Sequence, residues 1–329
     1  MSCNEKVGEW MKKRWLFVFL KVTIALITMI VLVKAVHFRE ILSAFRDPQN
    51  PLFILIASLL LIPNLFLQWY RWHFLIQRIQ PKVRILESVS SLFGGMVVGF
   101  VTPGRIGEMA RSLFLRETDR LQAVGLVFID KLYAFVTILV GGIWGIVCLV
   151  SYLFGYAAFI VWPFITVAFI LTLACLMVVL NPQWIRNFLY RLSVLLPYRD
   201  KMKRIIGCMD RFQKEQARFF LSLSSLLYGI YILQFCFLAL AFQKIPWTTA
   251  LTATTSAIFA KTLLPVSLAD LGIREGASIY FFLKFQVEKV AAFNSSILLF
   301  ATNVLLPTLV GLFFLPRLGW KETKNSSPE

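Results

Sequence analysis

Six long apolar stretches, at about 15–36, 51–76, 121–150, 157–180, 219–243 and 290–316, confine this chain to a lipid bilayer. About 20 residues of helix cross the ~30 Å hydrocarbon core. The stretches are continuous rather than alternating, which specifies helices and not the strands of a transmembrane barrel. Composition agrees: 58% of residues are hydrophobic and 16% charged, where a soluble domain carries about a quarter charged. The expected fold is an all-α polytopic membrane protein, one integral membrane domain over residues 1–329 with about six full spans. Lys12, Lys13 and Arg14 before the first stretch imitate a secretory signal. The run from Trp15 to Val33 is longer than a signal core, however, and no A-x-A-like site follows, so it reads as a retained first span.

Two further regions, 88–117 and 248–285, are apolar but broken by Pro, Gly and charge. Each fits a pair of half-helices or a re-entrant hairpin, since irregular backbone at membrane depth survives only in protein or beside a wet cavity. The first contains Thr102-Pro103-Gly104-Arg105-Ile106-Gly107-Glu108 and Arg111. The second reads Leu264-Pro265-Val266-Ser267-Leu268-Ala269-Asp270-Leu271-Gly272-Ile273-Arg274-Glu275-Gly276. Charge at this depth is costly and marks function. Interrupted helices in corresponding places of two halves point to a transporter's binding site.

In the first break, Thr102 is placed to cap a helix whose first residue is Pro103, leaving backbone N–H groups free for an anion. Arg105 suits a bidentate clasp on phosphate or carboxylate. Glu108 and Arg111 follow on the same face; the competing reading is that Glu108 only pairs with Arg105 or Arg111 and holds the break together. In the second break, Pro265 ends one half-helix, Ser267 or Asp270 caps the next, and Gly272 and Gly276 permit close approach. Arg274 and Glu275 are neighbours that diverge around a helix, so they are not expected to serve one site together. Lys261 adds charge nearby. Asp130 is expected either to reach Arg105 or Arg111 or to sit beside a Lys131 that snorkels to the interface. Gly94-Gly95 and Gly141-Gly142 read as helix-packing sites, and Asn303 to Pro307 as a polar kink with a packing role.

The chain carries 34 Lys and Arg against 17 Asp and Glu, a net charge of +17. These residues sit between spans, as the positive-inside rule requires, so nucleic acid is not an expected partner and anionic headgroups are. The 181–218 loop, with nine basic and three acidic residues, is assigned to the cytoplasm, as are 71–87 and both termini. The 34–50 segment, with Lys34, Arg39 and Arg46, falls outside against the rule. On this topology residues 51–150 and 219–316 form two units, each a span, a broken hairpin and a span, related as an inverted repeat. Five unpaired-looking cysteines and two histidines suggest neither a disulfide framework nor a metal, and no cofactor is expected.

P-G-R-x-G-E-x-x-R followed by L-P-x-S-x-x-x-L-G-x-R-E-G resembles the flippase-like membrane domain family that includes the transmembrane region of lysylphosphatidylglycerol synthase. The resemblance covers roughly residues 10–316. It implies an integral membrane domain acting on lipids. Its motifs fall on Pro103, Gly104, Arg105, Gly107, Glu108 and Arg111, then on Pro265, Ser267, Gly272, Arg274, Glu275 and Gly276. The family commonly shows Glu-Arg with Asp three residues on, where this chain has Asp130-Lys131 and Ala134. It usually has Gly-Gly before Leu-Gly, where Ala269-Asp270 stands. The synthase's soluble aminoacyltransferase domain is not expected, nor is synthesis of lysylphosphatidylglycerol.

Three function classes follow. The first is a flippase or transporter for an anionic phospholipid or lipid-linked phosphate, in a cell membrane, binding through Arg105, Arg111 and Arg274. The second is a scaffold whose 181–218 loop, with Trp184, Phe188, Tyr190, Tyr198 and Phe212 among its basic residues, recruits a cytosolic partner or anionic lipid. The third is an intramembrane transferase using a polyprenyl phosphate, for which no nucleophile–base pair is visible.

Overall fold

The computed structural model describes residues 48–100, 102, 104–115, 119–155, 157–193, 199–264 and 270–314. The expected first span, residues 34–47 of the following segment, Pro103, Pro265, Ser267 and both termini lie outside them. The described residues are helical and contain no strand.

Among the described residues five helices are long and apolar enough to cross a membrane: α1 (Pro51–Ile76), α3 (Arg120–Leu153), α4 (Phe159–Leu180), α7 (Lys214–Phe242) and α10 (Lys289–Leu312). They coincide with five of the six long apolar stretches. Between α1 and α3 lie α2 (Ile85–Phe100) and a 3₁₀ segment, Ile106–Phe114. Between α4 and α7 lie α5 (Pro182–Ser193) and α6 (Arg199–Gly207). Between α7 and α10 lie α8 (Trp247–Leu263) and α9 (Ile273–Leu283).

Local chemistry sets the helix ends. Pro51 opens α1, where its missing N–H costs nothing. The Asp119 side chain accepts the Leu121 N–H at 3.0 Å to start α3. Gln216 reaches back to the Gln213 N–H at 3.0 Å to start α7. In α10, residues Ala301–Leu305 widen into a π turn just before Pro307. Proline has no N–H and its ring crowds the carbonyl four residues back, here that of Asn303, so the wider turn absorbs the conflict.

The surface is inside out relative to a soluble protein. Leu52, Leu55, Leu59, Ile62 and Phe66 form an exposed stripe on α1, while its opposite face buries Asn64, Leu67 and Arg71. Phe159, Trp162, Phe169 and Ile170 are exposed on α4. Apolar faces this extensive need lipid beside them, which makes the chain a multi-pass membrane protein. One core gathers around Trp72, Tyr133 and Phe220 and joins α1, α2, α3 and α7. A second gathers around Phe235, Ala257 and Phe282 and joins α7 to α10.

Glycine packs the first hairpin. A Cβ on Gly94 would strike the Phe114 ring, and one on Gly107 would strike the Val98 carbonyl. These contacts fold the 3₁₀ segment back along α2. Gly107→Ala is therefore expected to force the backbones apart and lower stability by about 1–3 kcal/mol, read as the thermal midpoint in detergent; an unchanged midpoint would show that the hairpin accommodates a methyl there. Gly142 meets Phe259 and Gly141 meets Tyr228, which bears out the packing role expected for these pairs. Gly276 has open space around it, so it is not the close-approach residue that its spacing from Gly272 suggested. Cys208 touches Gly125 behind α3, and burial pushes its thiol up to about 12, leaving it protonated and unreactive.

Candidate functional site

The first break turns on left-handed backbone. Gly104 and Arg105 have φ of 58° and 55°, ordinary for glycine and uncommon for arginine. The tight turn closes on itself: the Thr102 hydroxyl accepts the Gly107 N–H at 2.7 Å, and the Glu108 N–H bonds the Arg105 carbonyl at 3.1 Å. The helix opens at Ile106 behind Arg105 as its N-cap, so Thr102 is not the capping residue its identity suggested; its hydroxyl meets one first-turn N–H from outside the helix, which is 3₁₀ rather than α. The expected row of free N–H groups is therefore shortened, and the charge in this site comes from side chains.

Those side chains form one web. Glu108, 1% exposed, meets Arg105 Nε at 2.8 Å, Arg111 Nη2 at 2.6 Å and Lys131 Nζ at 2.5 Å. Asp130 meets Arg71 Nη2 at 2.7 Å and Arg111 Nη1 at 3.1 Å. Glu108 therefore pairs with both arginines between which the sequence left a choice. Asp130 reaches Arg111 and not Arg105. Lys131 puts its ammonium on Glu108 rather than simply snorkelling.

Arg71 had read as a loop cation. α1 ends at Ile76, as the 51–76 stretch suggested, but Arg71 within it is buried, with its guanidinium 4.9 Å from the Phe220 ring centroid. A signal was available: Asn64, Gln68 and Arg71 stand at i, i+4 and i+7, one polar stripe on a lipid-facing helix.

The second break repeats the device. Asp270, at φ 63°, pairs with Lys261 at 2.7 Å. The N-cap of α9 is Gly272, at φ 85°, and not Asp270. Glu275 completes the cap, accepting the Gly272 N–H at 2.7 Å on one oxygen. Its other oxygen takes Arg274 Nη2 at 2.7 Å and Ser296 Oγ at 3.2 Å. Arg274 and Glu275 thus meet side chain to side chain instead of diverging, with Glu275 in a structural role. Glu275 folds back over the open first turn, and the long arginine fork curls round to meet it. Glu275 is fully buried behind Arg274.

The two breaks face a common cavity of about 190 Å³. Its walls carry Arg71, Arg105, Arg111, Lys131, Lys261 and Arg274 against Glu108, Asp130 and Asp270. Six cations outnumber three carboxylates, or four with Glu275 behind Arg274. At low dielectric such an excess attracts an anion strongly.

Asn303, assigned only a packing role from sequence, also lines this cavity. Asn64 Nδ2 donates to its Oδ1 at 3.1 Å and to Gln234 Oε1 at 2.8 Å. This amide knot joins α1, α7 and α10. Among the described residues no three His, Cys, Asp or Glu side chains gather as a cation site.

No curated protein and no solved structure matches the chain. A family model does match it, over residues 18–311, spanning both breaks and every long helix described. The chain belongs to the family of the lysylphosphatidylglycerol synthase TM region.

Proposed function

We propose that this protein translocates an anionic phospholipid or lipid-linked phosphate across a cell membrane. One observation carries the reading: two charged breaks, more than 150 residues apart in sequence, converge on one cavity with surplus positive charge. The side chains of Arg71 and Arg111 are 4% exposed, whereas Arg105 is 24% and Lys131 45% exposed. A headgroup would enter past Arg105 and Lys131, with Arg111 and Arg274 completing the clasp through bidentate contacts. The acyl chains would remain in lipid.

The order long helix, broken hairpin, long helix occurs twice, in α1 to α3 and in α7 to α10. This supports an inverted repeat of 51–150 and 219–316, with re-entrant hairpins, both termini cytoplasmic and the 181–218 loop beside them. Sites at repeat interfaces suit alternating access.

Translocation of fluorescent phosphatidylglycerol in proteoliposomes tests this. Arg105→Ala and Glu108→Gln are each expected to slow it tenfold or more, about the worth of one charged hydrogen bond, while zwitterionic phosphatidylcholine is not moved. Equal rates in wild type and both variants would contradict the clasp. Product formation from a polyprenyl phosphate would instead favour the transferase reading.

A second reading, recruitment, is favoured by α5. Trp184, Phe188 and Leu192 are exposed on one face at i, i+4 and i+8, beside the basic residues of the loop. If neutralising those residues stopped function while Arg105→Ala spared it, this reading would replace the first.

A further inference from the structure

The surplus charge of the cavity is not shared between its two breaks. Around the first, Arg71, Arg105, Arg111 and Lys131 stand against Glu108 and Asp130, four cations and two carboxylates. The ion pairs close within this set: Glu108 meets Arg105, Arg111 and Lys131, and Asp130 meets Arg71 and Arg111. Around the second, Lys261 meets Asp270 and Arg274 meets Glu275, two cations and two carboxylates. The second break is balanced. The first keeps two positive charges with no counter-charge among the described residues.

Two unmet charges at low dielectric favour the anion that cancels both. A phosphate diester carries one negative charge and two free oxygens. A phosphate monoester carries about −1.5 to −2 at neutral pH and has three free oxygens, and cations beside it favour its second ionisation. Donors for the third oxygen are present. Arg105 gives Nε to Glu108, and its two Nη groups have no hydrogen-bond partner among the described residues. An ammonium carries three N–H groups, and Lys131 and Lys261 each meet a single carboxylate oxygen. We propose that the substrate headgroup is a phosphate monoester, whose two charges match the surplus at the first break while its third free oxygen reaches Lys261 from the second. The assignment rests on the anionic-lipid reading and narrows it. A diester leaves one cation unmatched and binds more weakly.

The test compares phosphatidic acid with phosphatidylmethanol, its methyl ester, which differ by one charge and one free oxygen. Binding to the purified protein in phosphatidylcholine nanodiscs is measured for wild type and three variants. Ala134 lines the cavity on α3, one turn from Asp130 and Lys131. Ala134→Asp adds a carboxylate there, Ala134→Asn adds the same volume without charge, and Lys131→Gln removes a half-exposed cation. Wild type is expected to prefer phosphatidic acid by about three- to tenfold, a modest ratio because Arg105 and Lys131 reach water that screens them. Ala134→Asp and Lys131→Gln are each expected to bring the ratio towards one, and Ala134→Asn to leave it. Equal affinity of wild type for the two lipids overturns the monoester and leaves the anionic-lipid reading standing. A preference that neither charge variant moves does the same, because it arises outside the cavity. Binding of neither lipid overturns the lipid reading, and glycerol phosphate, a soluble monoester run alongside, then decides the rest. Bound with the same response to the variants, it retains the monoester site with a ligand from water; unbound, it overturns the monoester as well.

Discussion

Asp130→Asn is expected to be among the most destabilising single substitutions in the protein, at about 3–5 kcal/mol. Asp130 is the carboxylate that both Arg71 and Arg111 share, and it joins α1 and the first hairpin to α3. An amide of the same shape keeps the volume and removes the charge, leaving Arg71 buried with no anion beside it. Arg111 retains Glu108, so the loss falls mainly on Arg71. Replacing both partners, with Arg71→Met and Asp130→Leu together, is expected to recover most of the loss, because an apolar pair leaves no orphaned charge. Thermal unfolding of the purified protein in detergent measures both. A single variant as stable as wild type would mean that water reaches Arg71 and that the web is not a buried one.

Glu275→Gln has the second large expected effect, of similar size. This carboxylate, 0% exposed, both caps α9 through the Gly272 N–H and holds Arg274. The amide still offers one oxygen, which can cap the helix or face the guanidinium but not both. Arg274 would then be a fully buried cation left over Phe300, whose ring centroid lies 5.1 Å away; a cation–π contact of about 2 kcal/mol does not offset that desolvation. The expected result is a lower thermal midpoint together with lost substrate binding. The second loss arises because Arg274 lines the cavity in the position that Glu275 gives it. Retained stability with retained binding would show that Arg274 is held by other groups.

Much of this was legible in the residues, for definite reasons. Long apolar runs admit one solution in lipid, so five spans appear where α1, α3, α4, α7 and α10 lie. Both breaks were visible because Pro103-Gly104 and Gly272 cannot sit inside a straight apolar helix without consequence. Pairings were harder. Asn64 meets Gln234 and Asn303 across 170 and 239 residues, and no local periodicity encodes such a meeting. Arg71 was misplaced because the positive-inside rule counts a cation near a span end as a loop residue, whereas here it stands inside α1 and is buried in the core. Arg274 and Glu275 were separated by a rule for mid-helix neighbours that fails in an open first turn. The role of Asn303 was half visible, since Pro307 announced a distortion but not which side chain the π turn would aim inward.

The most direct measurement is a double-mutant cycle on lipid translocation, with Arg105→Ala from the first hairpin, Lys261→Ala from the second, and both together. Arg105 and Lys261 lie on different halves of the chain and line one cavity. The predicted result is that each substitution slows phosphatidylglycerol movement and that the double variant is less impaired than the product of the two effects, as for groups on one ligand. Independent, multiplicative effects, or a loss confined to one hairpin, would contradict a shared headgroup site.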